Sequence, residues 1–218
     1  MDTTLHALQH SYDTIAEDYV EQIFHELEHK PLDRELLNRF AAQVHGLGPI
    51  CELGCGPGHV ARYLHEQGAD VFGLDLSPRM VALARQLNPG IEFHQGNMLA
   101  LEAEDEAWGG LVAFYSIIHI PREQVPGALQ EFRRVLRPNG LLLLAFHVGQ
   151  ETLHRDEWWG KAVSVDTFFF RPNEMKVYLD TAGFEIEDII ERPPYADVEY
   201  PSQRAYIFAR KPDDSTAA

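Results

Sequence analysis

The feature that most constrains the fold is a repeated alternation of short apolar runs and helix-patterned segments between residues 49 and 147. Residues 49–53 read as a strand and 58–67 as a helix. Residues 70–74 form a second strand with Asp75 at its end. Ser77-Pro78 then opens a helix, with serine placed to cap it and proline in its first turn, and that helix runs to the breaker Asn88-Pro89-Gly90. Residues 91–94 and 109–115 are the third and fourth strands. Residues 122–136 carry Val125, Leu129, Phe132 and Leu136 on one helical face, and 141–147 follow the turn Arg137-Pro138-Asn139-Gly140 as the fifth strand. Strands alternating with helices predict an α/β fold: a doubly wound parallel sheet with helices on both faces, a three-layer sandwich.

The rest of the chain departs from that rhythm. After a helix over residues 172–182 come two strand-like runs, 184–191 and 204–210. The proline-rich segment RPPYADVEYPSQ between them is too short for a crossover helix, so they pair antiparallel. Ahead of the first strand, residues 1–46 read as a helical cap. Tyr12, Ile15, Ala16, Tyr19, Ile23 and Leu27 share one face of a helix over 10–28, and a second helix spans 33–44 before Gly46 and Gly48. Residues 148–171 form an aromatic insertion with Trp158, Trp159, Phe168, Phe169 and Phe170. Because it leaves the fifth strand at its carboxyl end, where open parallel sheets bind ligands, it is either a hairpin over the core or a substrate lid. The whole of 1–218 is expected to form one domain, with KPDDSTAA a frayed tail.

Charge narrows the function. The net charge is −16, from 34 acidic against 18 basic residues, which opposes binding to nucleic acid or an anionic membrane and favours a small-molecule substrate. No apolar run approaches the ~18 residues of a membrane span, and the first residues lack a basic-then-apolar signal pattern. Cys51 and Cys55 are too few for a disulfide framework and read as reduced, small fillers of a cytoplasmic protein. The scattered histidines show no metal-ligand spacing, so no metal site is expected. Monomer and homodimer both remain open.

The stretch ELGCGPGHV joins the first strand to the first helix. Gly54, Gly56 and Gly58 permit a tight turn that lets a ligand approach the backbone. Asp75 lies 19 positions after Gly56, where a carboxylate can hold ribose hydroxyls. Yet Glu52 precedes the turn, and a carboxylate in a partly buried site opposes a pyrophosphate while favouring a cation. A ligand with a ribose and a positive charge but no phosphate satisfies both demands, and S-adenosylmethionine is such a molecule.

These residues resemble the class I S-adenosylmethionine-dependent methyltransferases. ELGCGPG is similar to the family's first motif, GLDLSPRM to its second acidic strand end, HQGNML to the segment flanking the adenine, and LRPNGLLLLAF to the turn and strand after its fourth helix. The likeness covers about residues 10–148 and the final hairpin. It implies a Rossmann-like sheet of seven strands with the last inserted antiparallel. It also implies that Glu52, Gly54, Gly56 and Gly58 line the methionine end of S-adenosylmethionine, that Asp75 holds the ribose with Leu76 and Met80 near the adenine, and that Asn97 and Met98 flank the adenine. The family often has aspartate where Asn97 stands; the amide carbonyl can still accept from an adenine amino group. Tyr12 and Tyr19 lie in a segment resembling the cofactor-covering helix of small-molecule members, although both also fit core packing.

Methyl transfer is an in-line displacement at an activated methyl, so the protein mainly aligns the reactants and excludes water, with a base useful for a hydroxyl or amine acceptor. His119, after the fourth strand, and His147, ending the fifth, are the candidate bases; each also has an ordinary structural reading. Tyr115 and Ser116 are candidate wall residues, Tyr115 beside the cofactor's methyl group. The function expected is methyl transfer to a small-molecule acceptor through oxygen, nitrogen or sulfur. The alternative is a protein that binds S-adenosylmethionine or its product without catalysis.

Overall fold

A computed structural model describes residues 3–196 and 198–213. Of the tail KPDDSTAA, residues 214–218 lie outside the described residues. Lys211 is not frayed: it is buried, and its Nζ donates to Leu136 O at 2.8 Å.

The main sheet has seven strands in the order β3-β2-β1-β4-β5-β9-β8. Strands β1 (Ile50–Leu53), β2 (Val71–Asp75), β3 (Glu92–Gln95), β4 (Trp108–Phe114) and β5 (Leu136–His147) pair in parallel. The last strand, β9 (Arg204–Arg210), runs antiparallel between β5 and β8 (Glu185–Arg192). Strand order reverses between β1 and β4, so the crevice beyond their carboxyl ends is where this topology places a ligand.

Period-two alternation along β5 explains the three layers. Leu142 and Leu144 point into one core with Val125, Leu129 and Phe132 of α5 (Val125–Val135) and Met175 and Leu179 of α6 (Pro172–Ala182). Leu141 and Leu143 point into the other, with Leu37 and Phe40 of α2 (Pro31–Val44), Val60 and Leu64 of α3 (His59–Glu66) and Val81 and Ala84 of α4 (Pro78–Leu87). A strand buried on both faces must be apolar on both, which is what LLLLAF supplies. The turn at 137–140 lies within β5 rather than ahead of it. Leu136 already pairs with Trp108, and the register shifts before Leu141 pairs with Gly110, with Asn139 in the left-handed region.

Two segments cover the carboxyl end of the sheet. Helix α1 (Thr3–Ile23) starts seven residues before the expected 10, bringing Leu5 and Leu8 over the crevice. The insertion folds as an antiparallel hairpin of β6 (Thr152–Trp158) and β7 (Lys161–Phe168). It is tied to α1 by Lys161 Nζ on Asp18 Oδ2 at 2.6 Å and on Thr14 O at 3.0 Å, and by Ser164 N donating to Ser11 Oγ at 2.9 Å. Among the described residues, no helix is long and apolar enough to cross a membrane.

Candidate functional site

Helix α1, the β6–β7 hairpin and the carboxyl ends of β1, β2, β4 and β5 enclose a cavity of about 270 Å³. At one end sits the glycine turn. Gly54 and Gly56 line it with φ of 67° and 52°, and a Cβ on Gly54 would meet Ser116 Cβ at 2.5 Å, so only glycine fits. Gly56 N donates to Asp75 Oδ2 at 2.7 Å, while Ser77 N donates to Asp75 Oδ1 at 2.8 Å. Glu52 is buried, and its Oε2 accepts from Ala61 N at 2.8 Å in the first turn of α3. The backbone thus grips both carboxylates and fixes them at the cavity wall.

Neither carboxylate has a cationic partner at hydrogen-bonding distance among the described residues. Burial pushes the Glu52 carboxyl up to about 8, with Asp75 adding to the rise against the Ala61 amide. Burial likewise lifts Asp75 to about 6 despite its two amide donors. Two desolvated acids side by side are an unfavourable arrangement that a bound cation relieves. Rings stand near by: Tyr19 and Trp158 are 6.3 Å apart edge to face, and Tyr12 is 5.9 Å from Tyr19 and 6.1 Å from Trp158. Aromatic faces also favour a cation over an anion.

His119 occupies the short turn after β4. Its Nδ1 lies 2.8 Å from Asp166 O on β7, and a carbonyl only accepts, so Nδ1 carries the proton. Nε2 is therefore the acceptor for the Tyr12 hydroxyl at 2.7 Å. Burial lowers His119 to about 4 and raises the Tyr12 phenol, so both are neutral near pH 7. Three covering elements (α1, the β4 turn and the hairpin) meet at this pair.

Tyr115, directly after β4, is held at φ 54°, a costly conformation for a tyrosine. Its hydroxyl donates to Tyr206 at 2.9 Å, whose own proton goes to Asp33 Oδ1 at 2.9 Å. His147 ends β5, stacked on Phe169 at 5.0 Å, with Nδ1 2.8 Å from Ser202 Oγ. Burial and the nearby Arg204 push His147 down to about 3, so it too is neutral. Behind it lies a buried ionic group. Arg192 bridges Asp33 at 2.7 Å and Glu199 at 2.6 Å, and Lys30 joins Glu199 at 3.1 Å to Glu26 at 2.7 Å.

Comparison with known proteins agrees with this geometry. Residues 50–140 match the family model for the methyltransferase domain. Over that region the chain is similar to S-adenosylmethionine-dependent methyltransferases. A malonyl-[acyl-carrier protein] O-methyltransferase of Enterobacter lignolyticus is 30% identical over 124 residues, 54% of this chain and 47% of that protein. A probable S-adenosylmethionine-dependent methyltransferase of Mycolicibacterium smegmatis is 30% identical over 145 residues, 65% of this chain and 53% of its own length. The chain therefore spans about half the length of these curated relatives. Among solved structures, the putative methyltransferase complexed with the Trm112 activator from Haloferax volcanii superposes with a TM-score of 0.72 at 20% identity, covering 94% of this chain and 97% of the other. The DhpI complex with S-adenosylhomocysteine gives 0.71 at 19% identity, covering 94% and 96%. At these identities the structures establish a shared fold.

Within this methyltransferase fold, Tyr12, Tyr19, Glu52, Gly54, Gly56, Asp75, Leu76, Met98, Tyr115, Ser116, His119 and His147 all line the one cavity. Three expected contacts fall outside its lining. Gly58 begins α3 at φ 79°, and a Cβ there would strike the Phe93 ring at 2.5 Å, so it serves helix–strand packing. Met80 is fully buried beneath α4, its amide capped by Ser77 Oγ at 3.0 Å. Asn97 Oδ1 is taken by Leu99 N at 2.9 Å, which leaves Met98 and Leu99 to face the cavity. Lys30, Arg155, Glu199, Tyr200 and Arg204 also line it. Sequence patterning does not single them out, because they come from separate segments that carry no motif. Among the described residues, no group of three or more His, Cys, Asp or Glu side chains is placed to hold a metal.

Proposed function

We propose that this protein transfers a methyl group from S-adenosylmethionine to a small-molecule acceptor. The observation that carries the reading is the pair of backbone-held, unneutralised carboxylates, Glu52 and Asp75, beside a glycine turn. Glu52 faces the cationic methionine end, Asp75 the ribose hydroxyls, and Leu76, Met98 and Leu99 the adenine. The bound cofactor supplies the activated methyl; the protein's own groups orient the acceptor, exclude water and take up its proton. Tyr12 and His119 provide the proton route: an acceptor X–H hands its proton to the Tyr12 oxygen while the phenolic proton passes to His119 Nε2. Asp166 O fixes the tautomer that leaves Nε2 able to receive it. His147 suits the role of a base less well, because Ser202 engages its Nδ1 and neighbouring cations disfavour its protonation.

Calorimetric titration with S-adenosylmethionine, S-adenosylhomocysteine and NAD tests the cofactor. Binding of the first two without NAD supports the reading, and NAD alone overturns it. Release of S-adenosylhomocysteine with an acceptor then separates an enzyme from a protein that only binds the cofactor.

A further inference from the structure

The cavity is electrically two-ended. Glu52 and Asp75 mark one end, while Lys30, Arg155, Arg204 and His147 lie among its other lining residues. Most of those cations are neutralised. Lys30 pairs with Glu26 and Glu199, and Arg192 behind them with Asp33 and Glu199. Counting Arg204, three cations face three carboxylates: Lys30, Arg192 and Arg204 against Glu26, Asp33 and Glu199. Arg155 is the surplus. Among the described residues it has no carboxylate within ion-pairing distance, and its guanidinium rests over the rings of Trp158 at 4.9 Å and Tyr200 at 5.6 Å.

Two further donors share these surroundings. Arg204 is 3% exposed, and its Nε finds no hydrogen-bond partner; the nearest acid, Glu199, is at 3.7 Å. Its other nitrogens are held in place, Nη1 by Ser202 O at 2.7 Å and Nη2 by Tyr200 O at 2.9 Å. Arg204 also donates to Ser202 Oγ, which leaves the Ser202 hydroxyl proton available to His147 Nδ1. In the tautomer that accepts this proton, His147 carries its own on Nε2, which has no partner among the described residues. The Tyr200 ring ties the group together, edge-on to His147 at 6.1 Å and beneath Arg155.

We propose that this end of the cavity is an acceptor-anchoring subsite for a carboxylate, received by the Arg155 guanidinium with Arg204 Nε–H and His147 Nε2–H as supporting donors. The inference deepens the methyltransferase reading by giving the acceptor a class: an organic acid, in an apolar and aromatic surround. A monoanion fits because one positive charge is in excess, and a planar guanidinium fork matches a carboxylate. A neutral or cationic acceptor would leave a buried Nε–H unpaired and a guanidinium uncompensated.

Calorimetry on protein saturated with S-adenosylhomocysteine tests it, with benzoate, benzamide and phenylphosphonate as probes. Benzoate is expected to bind at millimolar concentration, with benzamide weaker by tenfold or more on the order of a charged hydrogen bond. Arg155→Gln should abolish that preference and Arg155→Lys retain part of it, both leaving S-adenosylhomocysteine affinity intact. Arg155 is half-buried on the hairpin, and unchanged product binding also reports that each variant is folded. Equal binding of acid and amide, no benzoate binding, or a preference that survives Arg155→Gln overturns the proposal. Tighter binding of phenylphosphonate overturns the carboxylate assignment. Failure of S-adenosylhomocysteine to bind would instead strike the cofactor reading, and benzoate against benzamide on the unliganded protein would still judge the anionic subsite.

Discussion

Replacing Glu52 by glutamine should make the cofactor-free protein more stable, and increasingly so as the pH rises. Glutamine keeps an oxygen for the Ala61 amide and removes only the charge. In the folded protein the Glu52 carboxyl stands at about 8 against an ordinary 4.5, chiefly because it is buried. A carboxyl raised on folding favours the folded state fully below its unfolded value, and that contribution is lost as the pH climbs to the folded value. At pH 7 the unfolded chain carries an ionised Glu52 while the folded one must hold it largely protonated. At ~1.4 kcal/mol per pH unit, that gap amounts to about 3 kcal/mol. For a chain of this size, such a difference corresponds to roughly 6–12 °C in Tm. Thermal melts of both proteins without cofactor, at intervals from pH 5 to pH 8, give the difference directly. Asp75 titrates with the same sign in both proteins, from 3.8 towards about 6, chiefly because it is buried, so the larger part of its contribution cancels in the comparison. A difference that stays flat across this range, or a glutamine variant less stable at pH 8, refutes the account. The same substitution should weaken S-adenosylmethionine more than S-adenosylhomocysteine, because only the former carries the sulfonium charge that Glu52 favours.

His119→Ala should lower turnover far more than S-adenosylmethionine affinity, measured by product release against calorimetry; Tyr12→Phe should do the same and, by leaving Nε2 unpaired, reduce stability by about 1–3 kcal/mol in denaturant melts. Gly54→Ala places a Cβ 2.5 Å from Ser116 Cβ at φ 67°, so it should cost on the order of 1–3 kcal/mol in stability and impair cofactor binding, read by the same two measurements. Asp33→Asn removes one of the two carboxylates on buried Arg192, leaving Glu199, and should lower stability by about 1–3 kcal/mol, a loss visible as a shifted denaturant midpoint.

The sheet was legible because its signals are local. Each βα unit carries its own apolar run, breaker and cap, so Ser77 announces α4 and the short, proline-rich link before β9 announces an antiparallel partner. The limits of this legibility have physical causes. Turn residues at 137–140 mark a change of direction but not whether pairing resumes on both sides of it, so the start of β5 at Leu136 was hidden. Gly58, Met80 and Asn97 sit within one to three positions along the chain of residues that line the cavity. Gly58 backs onto the Phe93 ring, Met80 is buried with its amide in the α4 cap, and the Asn97 side chain is taken by the Leu99 amide. Spacing locates such segments to a turn, while the face each residue presents depends on neighbours from other strands.

The two ends of the cavity differ in the same respect. The cofactor end is built from backbone: positive-φ glycines, two amide-gripped carboxylates and strand termini whose position the topology dictates. Its chemistry is therefore written in one continuous stretch and one residue of the next strand. The other end is assembled mostly from side chains on α1, the α1–α2 connection, the β6–β7 hairpin and the β8–β9 link, which meet His147 and Arg204 where β5 ends and β9 begins. Asp33, Arg192 and Glu199 bind that link to α2, so a buried ionic network supports the cationic wall alongside the β5–β9 ladder that pairs His147 with Arg204. Substitutions there can change which acceptor is held without disturbing how the methyl donor is held. A motif can consequently identify the donor in this fold, whereas the acceptor has to be read from charges that meet only once the chain has folded.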